Sequence, residues 1–157
     1  MSIKIDNNKI IFTRTFNTSA EKLFNAYTDE QLFKAWFHPE GASTEIFKFN
    51  VQDGGDAFFA IHTPEGTSYT VTEYKEVKAP TTIDYYDYFA DSEGNRADNM
   101  AGMHNIITFN QLNKDETEIE SVSVLPDAQS AQQLLDMGVE AGMNSTFDNL
   151  EKLVKTL

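Results

Sequence analysis

The sequence predicts an α+β fold: a curved antiparallel sheet of about seven strands, in the order β-α-α-β6-α, wrapped around a long C-terminal helix. Two observations carry this. Between Ala42 and Leu125, six segments rich in β-branched and aromatic residues recur every ten residues or so, separated by short polar turns, as in an antiparallel meander. From Asp127 to the end the pattern changes to an amphipathic helix. At about 100° per residue, Leu135, Val139, Gly142, Met143, Thr146, Leu150, Leu153 and Leu157 fall on one side, and Glu140, Asn144, Asp148, Glu151 and Lys155 on the other. Uninterrupted, this helix would run on the order of 40 Å. Its apolar face must be covered, since burying each Leu or Val contributes roughly 1.5–3 kcal/mol. The strands upstream are the surface available to cover it.

In chain order, the first element is a strand over Lys9–Phe16 (KIIFTRTF). Thr18-Ser19-Ala20-Glu21 reads as a capping box opening a short helix with Leu23, Phe24 and Tyr27. Thr28-Asp29-Glu30-Gln31 reads as a second, opening a helix through Leu32, Phe33 and Trp36, which His38-Pro39-Glu40-Gly41 ends. The six strands are STEIFKFNV, AFFAIHT, SYTVTEYKEV, TTIDYYDYF, HNIITFNQL and TEIESVSVL. One connection is long: Ala90–Ala101 (ADSEGNRADNMA) has the length and polarity of a mobile loop or lid. No repeat or linker interrupts the pattern, so residues 1–157 read as one domain.

Composition narrows the function. The chain has 25 acidic against 12 basic residues, a formal net charge of −13, and only two arginines, Arg14 and Arg96. Nucleic-acid binding relies on cations that release phosphate counterions, so this balance argues against it, and against docking to an anionic membrane. No segment reaches the roughly 18 apolar residues of a membrane span, so no membrane insertion is expected. There is no cysteine. The N-terminus MSIKIDNNKIIF has no signal-peptide pattern, and a cytoplasmic location is the expectation. Catalytic signatures are missing: there is no cysteine nucleophile, P-loop, G-x-S-x-G or H-E-x-x-H. His38, His62 and His104 lie far apart, without metal-ligand spacing. No catalytic residue, metal or cofactor is expected.

Within the long helix, Gly138 and Gly142 stand one turn apart, and each costs roughly 1 kcal/mol against alanine in a helix interior. Either a strand passes close by, or space is left open for a ligand. Thr146, mid-stripe, either bonds back to the carbonyl four residues earlier or faces a ligand. Trp36, the only tryptophan, either plugs one end of the sheet or forms the mouth of a pocket.

A set of local motifs then runs nearly end to end. They are Thr13-Arg14-Thr15-Phe16, Ala35-Trp36-Phe37-His38-Pro39-Glu40-Gly41, Asp53-Gly54-Gly55, Pro64-Glu65-Gly66, Tyr74-Lys75-Glu76-Val77 with Pro80 following, and Gly142-Met143-Asn144-Ser145-Thr146-Phe147-Asp148-Asn149-Leu150. In their order and spacing the chain resembles the START-like (SRPBCC) superfamily of helix-grip folds, in the branch of homologues of the activator of the heat-shock-protein-90 ATPase. The resemblance implies a groove between sheet and long helix that members use for apolar or amphipathic small molecules. A minority are enzymes, and the namesake domain contacts a chaperone.

The family's inward register, extended to this chain, turns Ile107, Phe109, Ile119, Ser121 and Ser123 toward the helix, with Ile83, Tyr85, Asp87 and Phe89 on the neighbouring strand. Tyr85, Asp87, Ser121 and Ser123 would then supply polar groups in an apolar pocket, unless Asp87 sits hydrated at the sheet rim. The candidate lining is therefore Trp36, Tyr85, Asp87, Ile107, Phe109, Ser121 and Ser123, facing Leu135, Gly138, Val139, Gly142, Met143 and Thr146. One departure stands out: the family has tryptophan where this chain has Met143, so the space beneath should be enlarged or reshaped. The leading expectation is a binding module for a small hydrophobic or amphipathic ligand, monomeric or homodimeric. A chaperone-docking protein using the loop 91–99 is one alternative. A cyclase- or hydrolase-like enzyme using Tyr85, Asp87 and His104 is another.

Overall fold

The computed structural model describes residues 2–97 and 102–157. Among the described residues there are eight strands and four helices: β1 Ser2–Asp6, β2 Lys9–Phe16, α1 Ala20–Thr28, α2 Glu30–Trp36, β3 Ser43–Phe49, β4 Asp56–Thr63, β5 Gly66–Lys78, β6 Thr82–Ala90, β7 Met103–Asn113, β8 Glu116–Val124, α3 Ala128–Asp136 and α4 Val139–Val154. The strands form one antiparallel sheet in the order β1-β2-β8-β7-β6-β5-β4-β3. The six central segments thus form the expected meander, and the sheet continues from β8 onto β2. Register shifts in β3, β5 and β7 bend it, as bulges do, so that its concave face can curl around a helix.

Two corrections concern the ends of the chain. The sheet has eight strands rather than seven, because Ser2–Asp6 pairs with β2 through a two-residue turn. Asn7 adopts φ 55° there, a left-handed conformation that asparagine tolerates better than most residues. The C-terminal helix is not continuous. Gly138 has φ 88° and separates α3 from α4, so the long helix proper is the 16 residues of α4. Left-handed backbone strains any residue with a Cβ, which is the reason for glycine at this point. Leu157, expected among the anchoring residues, lies beyond the helix end and is 45% exposed.

Both short helices are capped by side chains, each one residue later than the boxes suggest. Ser19 accepts from the backbone N–H of Lys22 (3.3 Å) and Asp29 from that of Leu32 (3.0 Å). Thr28, the expected second cap, instead ends α1 with its hydroxyl on the Phe24 carbonyl.

The core lies between α1, α2, α4 and the concave sheet face. Phe147, Leu150 and Val154 are the buried residues of α4. Phe147 stacks on Phe12 (centroids 5.1 Å) and faces Trp36 (6.1 Å). Polar groups pin the same helix along its flanks. The Arg14 guanidinium, largely buried, meets Asp148 (2.8 Å), Glu151 (3.2 Å) and the Asn144 carbonyl (3.3 Å). On the other side Asn149 donates to the His38 carbonyl (2.7 Å), and Ser145 accepts from the Glu40 backbone N–H (2.8 Å). Residues 144–151 of α4 are thereby fixed to β2 and to the connection between α2 and β3, while Val139, Gly142 and Met143 in its first turns border open space.

Candidate ligand cavity beneath α4

Where α4 stands off the sheet there is a cavity of about 360 Å³. Its floor is sheet: Tyr85 and Asp87 from β6, Asn105 and Ile107 from β7, and Ser121 and Ser123 from β8. Its roof is Val139, Gly142, Met143, Thr146 and Phe147 of α4, with Leu134 of α3 at one end. Trp36, Phe37, His38 and Pro39 close the side formed by α2 and its exit.

Strand alternation explains the floor. Tyr85 is cross-strand partner to Asn105, and Asn105 to Ser123, so all three project to one face in a row across the sheet. Ile107 pairs with Ser121 in the next inward row. The inward set Ile83, Ile107, Phe109, Ile119 and Ser121 is buried. Phe89 departs from it: β6 outruns the core, and the ring is 58% exposed.

Asp87 is half-buried and lines the cavity, and its carboxylate accepts from the Thr72 hydroxyl (2.6 Å) and from the Asn105 amide (3.4 Å). Burial raises its pKa to about 6, with the Thr72 hydrogen bond acting against the rise. The Tyr85 phenol is raised well above its ordinary value by burial first and by the nearby Asp87 charge second. Asn105 in turn accepts from the Ser123 hydroxyl (2.7 Å).

On the roof, no close contact requires glycine at position 142: the residue is exposed, and a Cβ built there meets nothing within 4 Å. It is helical and faces open space, so close strand packing is not its reason. Gly142→Ala is expected to raise stability by roughly 0.5–1 kcal/mol, the helix-propensity difference, measured by urea unfolding. A loss of stability instead would mean that the helix closes onto the sheet in solution. Thr146 lines the cavity and also donates to the Gly142 carbonyl (2.9 Å), so both readings of it hold at once. Trp36 is fully buried, with its indole N–H on the Ala26 carbonyl (2.8 Å), and its ring is at once plug and cavity wall.

A family model, Activator of Hsp90 ATPase homolog 1-like protein, matches residues 17–155. The chain belongs to this family. A solved protein from Staphylococcus epidermidis is 49% identical with a TM-score of 0.90, over 99% of this chain and 94% of that one. Protein Ms6760 from Mycobacterium smegmatis shares the fold at 22% identity, with a TM-score of 0.88 over 98% of this chain and 95% of that one. The AHSA1 (SPO3351) protein from Silicibacter pomeroyi does so at 18% identity, with a TM-score of 0.75 over 94% of this chain and 98% of that one. No curated protein matches.

In this AHSA1-like chain, Trp36, Tyr85, Asp87, Ile107, Ser121, Ser123, Val139, Gly142, Met143 and Thr146 surround the cavity. Three of the expected residues do not. Phe109 is buried in the core instead, edge-on to Phe24 and Tyr27. The break at Gly138 resets the phase of the preceding helix, so Leu134 rather than Leu135 reaches the cavity, and Gly138 itself is the exposed hinge residue.

Asn105, Leu134, Phe147 and His38 are among the further lining residues that the sequence reading did not place at the cavity. Asn105 shares the parity of Ile107 and Phe109, and Phe147 lies one turn from Met143; both signals were present. The His104–Asp87 pairing does not form. His104 lies on the opposite face of the sheet, bonded to Asp84 (2.6 Å) and stacked on Tyr86. Among the described residues no cluster of His, Cys, Asp or Glu has metal-binding geometry, and no helix is long and apolar enough to cross a membrane. Of the loop Ala90–Ala101, residues 98–101 lie outside the described residues, so the expected lid and the docking loop 91–99 have only their first part in view. Asp91 accepts there from the backbone N–H groups of Glu93 and Asn95 (both 2.9 Å).

Proposed function

We propose that this chain is a small-molecule binding module that holds one apolar or amphipathic molecule between α4 and the sheet. The observation that carries the reading is the cavity under Gly142. Its volume of about 360 Å³ falls within the roughly 300–1,000 Å³ range of ligand sites. Its lining is largely aliphatic and aromatic, with a few polar groups placed mainly on the sheet floor. Such an arrangement gives affinity through apolar contact and orientation through a few placed hydrogen bonds.

The stability cost of the site supports the same reading. A helix glycine over empty space and a buried carboxyl without a cation both disfavour the folded state, and both lie at this cavity. The supporting experiment is native mass spectrometry of the purified protein with a thermal-shift screen of lipids and small aromatics. A one-to-one complex and a rise in Tm are expected. A screen without one stabilising compound, together with no retained ligand, would overturn the reading.

A further inference from the structure

The hydrogen-bond network on the cavity floor has a direction. The Ser123 hydroxyl donates to the Asn105 carbonyl oxygen (2.7 Å), the Asn105 amide donates to Asp87 (3.4 Å), and the Thr72 hydroxyl donates to Asp87 from the other side (2.6 Å). Each hydroxyl has one proton, so the protons of Ser123 and Thr72 are committed. The second Asn105 amide contact is to the Met103 carbonyl (3.4 Å). On the roof, Thr146 has likewise committed its proton to Gly142. The Tyr85 and Ser121 hydroxyls, which also line the floor, have no partner among the described residues and can either donate or accept, so the fixed polarity of the floor is that of the network: lone pairs concentrated on the Asp87 carboxylate, which accepts two hydrogen bonds where it has room for about four.

The opposite wall repeats this polarity. Thr44 donates to the Phe37 carbonyl (2.8 Å), so its oxygen can only accept from His38 Nδ1 at 3.0 Å. The His38 proton therefore resides on Nδ1, and Nε2 is left as an acceptor. Charge points the same way. All lysines and arginines of the chain are among the described residues, and none lines the cavity. Arg14, which reaches α4 from β2, is committed to Asp148 and Glu151. A carboxylate or phosphate entering here would meet the like charge of Asp87 and no cation; an ammonium or hydroxyl would find in Asp87 its complement.

We propose that the cavity selects amphipathic molecules whose polar end donates hydrogen bonds, an amine or alcohol rather than a carboxylate, and that Asp87 receives that end. This rests on the binding-module reading and names the ligand class of the same site.

The test uses two matched series: octylamine, octanol and octanoate, then 4-phenylbutylamine, 4-phenylbutanol and 4-phenylbutyrate. Trp36, the only tryptophan and part of the cavity wall, reports entry by its fluorescence, with calorimetry as a second readout. At pH 7.5 the amine is expected to bind at least tenfold more tightly than the carboxylate of the same tail, with the alcohol between. Asp87→Asn should reduce the amine-to-carboxylate ratio by at least tenfold, with circular dichroism verifying that the variant is folded.

In the unmodified protein the amine-to-alcohol ratio should fall as pH drops through about 6, where Asp87 takes up its proton. Tyr27, Tyr74 and Tyr85 also face this region from α1, β5 and β6, and burial keeps them neutral throughout. His38, lowered by burial, gains charge only at the acid end, and its share is the slope that persists in Asp87→Asn. If the carboxylates bind as tightly as the amines, the ligand class is wrong while the binding module stands. If no member of either series binds, both readings fall.

Discussion

Met143→Trp is expected to weaken whatever the cavity binds by tenfold or more, about 1.4 kcal/mol, while changing stability by less than about 1 kcal/mol. Met143 is half-buried, lies on the roof, and packs against the edge of the aromatic core. A thioether side chain is flexible and leaves space beneath it; an indole in its place extends over the floor toward Tyr85 and Asn105. Because there is room below, the larger ring occupies space that is empty rather than displacing packed atoms. In a filled core the same substitution would force neighbours apart and cost roughly 1–3 kcal/mol.

The two outcomes separate cleanly when ligand affinity and urea unfolding are measured on one preparation. Lost affinity with unchanged stability supports an open cavity under α4. Lost stability with unchanged affinity places the ligand elsewhere. The comparison also bears on the family. The resemblance leads one to expect tryptophan here, so Met143→Trp asks how far a member of this fold sets its binding volume with a single roof residue.

The central strands were legible because each is bounded by residues with a specific backbone role, such as Asp53-Gly54-Gly55 or Pro64-Glu65-Gly66. Inward parity followed from alternation, which is why Ile83, Ile107 and Ile119 came out buried. The same parity already excluded a His104–Asp87 pair. Asp87 is cross-strand partner to Met103, so His104 one residue on must face the other way. β1 was less legible because its turn, Asn7-Asn8, lacks glycine. The break at Gly138 was illegible for a different reason. Helical periodicity counts residues and carries no record of φ, so the apolar stripe runs on paper through a residue that the backbone uses as a left-handed hinge. Leu135 was expected at the cavity on that continuity, and Leu134 is there instead. Likewise the polar floor could be named residue by residue, but the direction of its hydrogen bonds depends on Thr72, a residue on a strand that pattern alone did not connect to the site.

Asp87→Asn is expected to make the protein more stable at pH 7.5, by about 1–3 kcal/mol, and to have almost no effect at pH 4. The carboxyl has a folded-state pKa of about 6, raised chiefly by burial above the ordinary value of 3.8. A group whose pKa is raised on folding holds its proton more tightly in the folded state. Its favourable contribution is complete below the unfolded pKa and is lost as pH rises through about 6, with each tenfold gain in proton affinity equivalent to about 1.4 kcal/mol. Ionised Asp87 therefore opposes folding at neutral pH. Asparagine removes that charge, keeps an oxygen for the Thr72 hydroxyl, and forfeits only the long contact from Asn105.

The two proteins differ at this one side chain, so urea unfolding of the pair at the two pH values isolates the effect of this carboxyl. Equal stability differences at pH 4 and pH 7.5 would show that Asp87 does not titrate in this window. A less stable variant at pH 7.5 would mean that the ionised carboxyl supports the fold. A cationic ligand acts on the same equilibrium from the other side. By pairing with the carboxylate it should lower the pKa of Asp87 and recover, on binding, the stability that the empty cavity forgoes.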